Sequence, residues 1–160
     1  MSTRFFCLEG KYVKAFTAFA IFSLMYIFPI VIANFYYIDD LGRSLSGYTG
    51  WNSNGRPLLS AISIILSDGK ILMDISPWIQ IAAVVVFSYS LILYIRKYAV
   101  EASVFQIFFI AVCGYLNLFL LENFSYKYDS LGMILSLSLY FILFAFPDSL
   151  SKKKISKFRN

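Results

Sequence analysis

Four long apolar segments leave this sequence very few folds to adopt. They cover residues 15–35, 78–95, 104–121 and 131–146. An α-helix that crosses a bilayer needs roughly 20 mostly apolar residues, and in lipid every backbone polar group must be bonded within the segment. Only 14% of the residues are charged, against about 25% in soluble domains. The sequence therefore predicts an all-α, polytopic membrane protein with four transmembrane helices.

Basic residues at three places predict its orientation. They lie in the lead 1–14, at Arg96 and Lys97 after the second segment, and in the tail 148–160. Because segments rich in Lys and Arg stay in the cytoplasm, we predict a cytoplasmic lead, a four-span membrane domain over 15–147 and a basic cytoplasmic tail. The net charge of +5 belongs mostly to these ends, so it predicts topology and gives no reason to expect a nucleic-acid partner.

The two connections on the opposite side carry the unusual residues. The first, over 35–77, is large and includes an apolar stretch at 58–66 that is too short to span and predicts an interfacial or re-entrant helix. The second covers 122–129. Both emerge on the same side in this topology, so they are expected to be able to meet. A signal peptide is the rival interpretation of the first segment, but its apolar core would be shorter, roughly 7–15 residues.

Two adjacent acids, Asp39 and Asp40, follow the first segment. One interpretation is a solvated turn or a pair that ends the helix. The other is a carboxylate that takes a proton from an acceptor hydroxyl, since neighbouring acids in a partly desolvated site have their proton affinities pushed apart. Successive side chains seldom point the same way, so one acid is expected to serve chemistry and the other structure.

Three cations in the two connections are candidates for binding an oxyanion. Arg43 and Arg56 carry guanidinium groups that bind phosphate or carboxylate through two hydrogen bonds, and Lys127 would act as a point charge. The alternatives are pairing with the nearby aspartates or with lipid headgroups, and simple solvation.

The remaining candidates are aromatic or acidic. Tyr48 and Trp51 suit stacking on a sugar face, although an aromatic belt at the membrane surface explains them equally well. Asp129 is a further polar candidate in the second connection. No cofactor is predicted: a divalent metal is allowed but not indicated, because the chain has no histidine and no ligand cluster is evident.

Both connections resemble one family. The first reads NFYYIDDLGR at 34–43, then GYTGW at 47–51 and GRPL at 55–58, and the second reads ENFSYKYDSL at 122–131. These strings resemble the outer loops of the Gtr-type bacterial glucosyltransferases that modify O-antigen, and the type II branch in particular. Two separate loops that match in order are far more specific than a single pair of aspartates.

The resemblance implies a function. Such enzymes are GT-C-like proteins of the bacterial inner membrane that use a polyprenyl-phosphate sugar, here undecaprenyl-phosphate glucose. They transfer the sugar to O-antigen of lipopolysaccharide on the periplasmic side. The family's acidic motif lies in the first periplasmic loop, which implies that Asp39 or Asp40 is catalytic. Arg43, Arg56 and Lys127 would then stabilise the departing phosphate.

The chain is much shorter than members of that family, and this leaves alternatives. It is expected to be a glucosyltransferase or the N-terminal part of one. The alternatives are a catalytically inactive truncated remnant and a non-catalytic membrane partner of a split enzyme. A small transporter is a third interpretation, but it should carry ionisable residues inside its spans, and these spans hold almost none.

Overall fold

The computed structural model describes residues 6–68 and 72–146. Within them the chain is all-α, as predicted. The basic tail at 148–160 and the start of the lead lie outside the described residues. The described residues form seven helices in order: α1 Lys11–Ala33, α2 Asp39–Ser46, α3 Pro57–Leu66, α4 Trp78–Tyr98, α5 Val104–Tyr115, α6 Leu118–Ser125 and α7 Ser130–Ala145.

The core forms around α4, which packs against α1, α5 and α7. Tyr115, the last residue of α5, lies at its centre. Its ring contacts Phe19 of α1 at 5.5 Å, Phe87 of α4 at 5.7 Å and Phe124 of α6 at 5.8 Å between centroids. Each such pair contributes about 0.5–1.5 kcal/mol through ring geometry. Because lipid tails are as apolar as these side chains, van der Waals packing rather than transfer from water holds helices together in a bilayer.

Two helices, α1 and α4, are long and apolar enough to cross a membrane. At 1.5 Å per residue they measure about 35 and 32 Å, which exceeds the hydrocarbon thickness of about 30 Å. The pair α5 and α6 makes a third candidate if it is counted as one bent span. α7 has 16 residues, or about 24 Å. Two or three candidate spans are therefore present, and the fourth predicted span is a shorter apolar helix.

The third predicted span, over 104–121, is not one continuous helix. α5 ends at Tyr115, α6 begins at Leu118, and their axes differ by 73°. Asn117 starts the new helix, because its side-chain oxygen accepts a hydrogen bond from the backbone N–H of Phe119 at 2.9 Å, a typical N-cap. The connection expected at 122–129 is consequently helical as far as Ser125.

The first connection also contains a helix that the sequence did not predict. Its first half contains the helix α2, which Gly47 ends in a left-handed conformation with φ 67° while donating its N–H to the carbonyl of Arg43 at 2.7 Å. Glycine adopts that conformation without the penalty that a Cβ brings. The predicted short helix at 58–66 is confirmed as α3 and begins one residue earlier, at Pro57.

Chemically different groups occupy the two ends of the bundle. At one end, Lys11 donates hydrogen bonds to the carbonyls of Val100 and Ala102, and Lys97 donates to that of Phe146. At the other end lie both polar connections, which contact each other. Lys11 of the lead and Lys97 in the last turn of α4 therefore share an end, as the predicted orientation requires.

Candidate functional site

The first and second connections meet through Asp40. Its carboxylate accepts hydrogen bonds from the backbone N–H of Lys127 at 2.6 Å and of Tyr128 at 3.4 Å. Beside it, the hydroxyl of Tyr37 donates to Glu122 at 3.2 Å, and the ring of Tyr37 lies edge-on against Tyr126. Residues almost ninety positions apart in the sequence thus form one site.

Asp40 is the buried member of the acid pair. Its side chain has no exposed surface, and its two oxygens each accept one of the backbone N–H groups. Burial raises the pKa of Asp40, and the hydrogen bonds from Lys127 and Tyr128 act in the opposite direction. Since both oxygens are already engaged, Asp40 is arranged to hold the second connection in place.

Asp39 is the accessible member. It is exposed at the first residue of α2, and its carboxylate makes no hydrogen bond or ion pair with any residue that the structure describes. The positive end of a helix dipole favours a charged carboxylate at this position. Of the two acids, Asp39 is therefore the one with a carboxylate that a ligand can reach.

A buried cluster of opposite charges lies next to the acid pair. Asp129 lies between two guanidinium groups, with Oδ2 3.6 Å from Nη1 of Arg43 and 3.7 Å from Nη1 of Arg56. Arg43 is buried over the ring of Trp51, at 4.8 Å from its centroid. Burial raises the pKa of Asp129, whereas Arg43, the Trp51 indole N–H and Arg56 oppose that change.

Part of the hydrogen-bonding capacity of this cluster is unused within residues 6–68 and 72–146. Nε and Nη1 of Arg43, Nε1 of Trp51 and Oδ1 of Asp129 are buried and lack a partner that meets hydrogen-bond geometry. Buried polar groups in proteins are almost always bonded. The buried part of the cluster is thus polar and incompletely satisfied by the residues that the structure describes.

The predicted cations have different accessibility. Arg56 is the open one, with 47% of its side chain exposed. Arg43 is buried. The ammonium of Lys127 is also buried: it donates to Asn34 at 2.6 Å and to Asp74 at 3.2 Å, and lies 4.2 Å from the ring centroid of Tyr36. Only Arg56 of these three therefore presents donors to an incoming anion without a rearrangement.

The two aromatic candidates also differ in how exposed their side chains are. Trp51 is fully buried and stacks on Arg43, whereas Tyr48 is half-exposed and its ring lies 5.7 Å from the same guanidinium. A sugar face can reach Tyr48 and not Trp51. The described residues contain no group of three or more potential metal ligands.

Sequence reasoning missed Asp74 and Asn34, which hold Lys127. Asp74 also accepts a hydrogen bond from Tyr36 at 3.2 Å. A signal was present for each. Asn34 is a polar residue at the end of the first apolar segment, and Asp74 is a lone acid between apolar residues just before the second.

A groove of about 510 Å³ lies between α3 and α7. Its lining includes Arg56 of the charged cluster. A second cavity, of about 580 Å³, lies at the opposite end around the α4–α5 turn. That cavity contains none of the site residues, so it does not belong to the candidate site.

Comparison with known proteins agrees with the resemblance of the two connections. The chain matches the family described as Glucosyl transferase GtrII over residues 28–155. This chain belongs to the GtrII glucosyl transferase family. The match includes α2 and the whole contact between the two connections. Family membership thus confirms the resemblance seen in the sequence.

One curated relative is an uncharacterized 55.3 kDa protein in the gtrB 5′ region of Salmonella phage P22. It is 34% identical to this GtrII family member over 121 residues, which are 75% of the chain and 24% of the relative. The chain therefore spans about a quarter of that relative's length. No solved structure matches this chain.

Proposed function

We propose that this chain forms the acid-bearing N-terminal part of a glucosyltransferase. The enzyme would transfer glucose from a polyprenyl-phosphate donor to O-antigen of lipopolysaccharide at the periplasmic face of the bacterial inner membrane. One observation carries the proposal: the exposed guanidinium of Arg56 pairs with Asp129 of the second connection, and the exposed carboxylate of Asp39 adjoins Asp40, which bonds the backbone of the same connection. Family membership supports the reaction class.

The residues would divide the chemistry as follows. The acceptor hydroxyl attacks the anomeric carbon of the donor, the bond from that carbon to the phosphate oxygen breaks, and the hydroxyl proton passes to Asp39. Negative charge accumulates on the departing polyprenyl phosphate, where Arg56 stabilises it. Arg43 fixes Asp129 beside Arg56, and Tyr48 offers a ring face to a sugar.

The donor is a lipid, so the site must face both water and bilayer. In the proposed topology α1, α4 and the α5–α6 pair cross the membrane, and α7 completes a four-span domain with both termini in the cytoplasm. The site then lies at the periplasmic surface. Its apolar neighbour α3 would rest in the interface, where a helix with one apolar face is stable.

The test uses the full chain in membrane vesicles supplied with undecaprenyl-phosphate carrying radiolabelled glucose and with lipopolysaccharide. We expect labelled lipopolysaccharide. Replacing Asp39→Asn should lower the rate by about 10²–10⁴-fold, the usual contribution of a positioned general base. The matched control is Asp68→Asn, an exposed acid of the same connection, which should transfer at the wild-type rate. Equal rates for Asp39→Asn and the wild type would refute the role of Asp39.

A non-catalytic membrane partner, or an inactive remnant, is the second candidate. The observation that favours it is length, since the chain covers 24% of its relative. It predicts no transfer by the chain alone. A partner would restore transfer when it is co-expressed with a polypeptide that carries the remaining helices of the family, and a remnant would not.

A further inference from the structure

We propose that the groove between α3 and α7 binds the hydrocarbon tail of a lipid monophosphate, with the phosphate at Arg56. This inference rests on the proposed transferase function and extends it, because it assigns the lipid part of a donor to named residues of this chain.

The shape of the groove follows from how the two helices approach each other. They touch at Gly132, where an added Cβ would lie 2.7 Å from the side chain of Leu59, so a larger residue would force that side chain to move. The wall on α7 consists of residues three or four positions apart, which share one helix face, and the wall on α3 repeats four positions apart: Gly132, Leu135, Ser136 and Leu139 face Leu58 and Ile62.

The lining is apolar and suits a hydrocarbon. Among the described lining residues the one charged side chain is Arg56. The hydroxyl of Ser136 already donates to the carbonyl of Gly132 at 3.0 Å, so it offers little to a polar ligand. The volume of about 510 Å³ lies in the range of about 300–1,000 Å³ that small-molecule sites occupy. A soluble sugar would leave these walls without complementary groups.

The charge of Arg56, a residue of the groove lining, indicates which head group the ligand would carry. Arg56 lies 3.7 Å from Oδ2 of Asp129, beyond the distance of a direct hydrogen bond. Its fork of N–H donors is therefore available to a phosphate, which guanidinium binds through two parallel bonds. Asp129 keeps Arg43 as its second partner. A ligand with an anionic head and an apolar tail satisfies both parts of the groove at once.

The probe is farnesyl phosphate with a photoreactive group at the end of its tail, added to the full chain in phosphatidylcholine vesicles. Mass spectrometry then locates the cross-links. We expect them in residues 58–62 and 132–139. The matching farnesyl alcohol should label this region about tenfold less, as expected when one charge-assisted interaction is lost. Excess inorganic phosphate should compete weakly, because it lacks the tail. Full competition by it would show a free-phosphate site and overturn the proposal.

Two tryptophan variants distinguish labelling that depends on binding in the groove from labelling by general contact with lipid. Ser136→Trp fills the groove from an exposed position on α7 and should reduce the labelling about tenfold. Ile21→Trp, on the exposed face of α1, is its matched control and should not. Circular dichroism and thermal unfolding confirm that both variants fold. Labelling that is unaffected by Ser136→Trp, or that is equally strong on α1, would overturn the proposal.

Binding and transfer can fail separately. Asp39→Asn should be labelled like the wild type while its transfer rate falls by about 10²–10⁴-fold. If the wild-type chain is labelled in the groove but transfers no glucose, the proposed catalysis is refuted and the proposed lipid binding stands. If it transfers glucose without labelling in the groove, the proposed lipid binding is refuted and the proposed catalysis stands.

Discussion

At the scale of single residues, the two neighbouring aspartates have opposite environments. Asp39 is exposed, whereas Asp40 is fully buried and bonded to the backbone of the second connection. They occupy the first two positions of α2, and consecutive helix positions point about 100° apart. That geometry turns one carboxylate to the solvent and the other to the interior, so the pair combines an available acid with a structural one.

Replacing Asp40→Ala should destabilise the protein. It leaves the N–H groups of Lys127 and Tyr128 buried without an acceptor, and each such group costs about 1–3 kcal/mol. The matched control Asp39→Ala should change the free energy of unfolding by less than about 0.5 kcal/mol, as surface substitutions do. Urea unfolding in detergent micelles measures both. Equal effects from the two variants would contradict the structural role of Asp40.

Asp129 should make stability depend on pH in a defined direction. Burial raises its pKa above the ordinary value of 3.8, so the folded chain holds this proton more tightly than the unfolded chain. The stability from this group is present below pH 3.8 and is lost as the pH rises through the folded-state pKa. The Tm of the wild type, measured relative to that of Asp129→Asn, should therefore fall as the pH rises above 3.8. A constant difference would contradict the raised pKa.

At the scale of elements, the apolar segments were sufficient to predict the long helices. α1 and α4 appear where continuous apolar sequence predicted them, and α3 begins within one residue of its prediction. α2 was not predicted, because its sequence is polar and interrupted by glycine. Its signals were present as two acids in the first turn and a glycine after the last residue, which are the usual start and stop signals of a helix.

The break between α5 and α6 was beyond sequence reasoning for a physical reason. Residues 116–121 are apolar enough to continue the helix, and the break contains neither proline nor glycine. What ends α5 is tertiary: Tyr115 packs between α1 and α4, and Asn117 caps the next helix. The meeting of Asp40 with Lys127 could be expected only as proximity, since the topology brought the two connections to one side. The identity of the bonded atoms depends on how α2 is oriented, which the sequence did not show.

Lys127 should couple three elements energetically. Its ammonium joins Asn34 at the end of α1 to Asp74 before α4, and its backbone N–H bonds α2 through Asp40. A double-mutant cycle of Lys127→Met and Asp74→Asn should give a coupling of about 1.5–3 kcal/mol, as for hydrogen bonds to charged groups. Unfolding in detergent provides the four free energies. Additive effects would show that the pair contributes no direct interaction.

At the scale of the whole molecule, the basic residues Lys11 and Lys97 and the candidate site lie at opposite ends of one helical bundle. Lys11 and Lys97 bond carbonyls at one end, and Asp40 joins the two connections at the other. α1 and α4 are each long enough for a bilayer to lie between these ends. If basic residues stay in the cytoplasm, then the acid-bearing site faces the periplasm, where lipid-linked sugars and O-antigen would meet.

Single cysteines test that orientation. The test starts from a chain in which Cys7→Ser and Cys113→Ser remove both native cysteines. One cysteine is then introduced at an exposed position: Ser53→Cys in the first connection, Glu122→Cys in α6, or Glu101→Cys in the α4–α5 turn. A maleimide that cannot cross the inner membrane should label the first two in intact cells and the third only after lysis. The reason is geometric: residues 53 and 122 belong to connections that contact each other, so one membrane face must hold both. Labelling of Glu101→Cys in intact cells would show that the α4–α5 turn faces the periplasm. The site would then face the cytoplasm, away from the proposed acceptor. Labelling of only one of the first two would conflict with the bonded contact itself, because groups joined at 2.6 Å cannot lie on opposite sides of a bilayer about 30 Å thick.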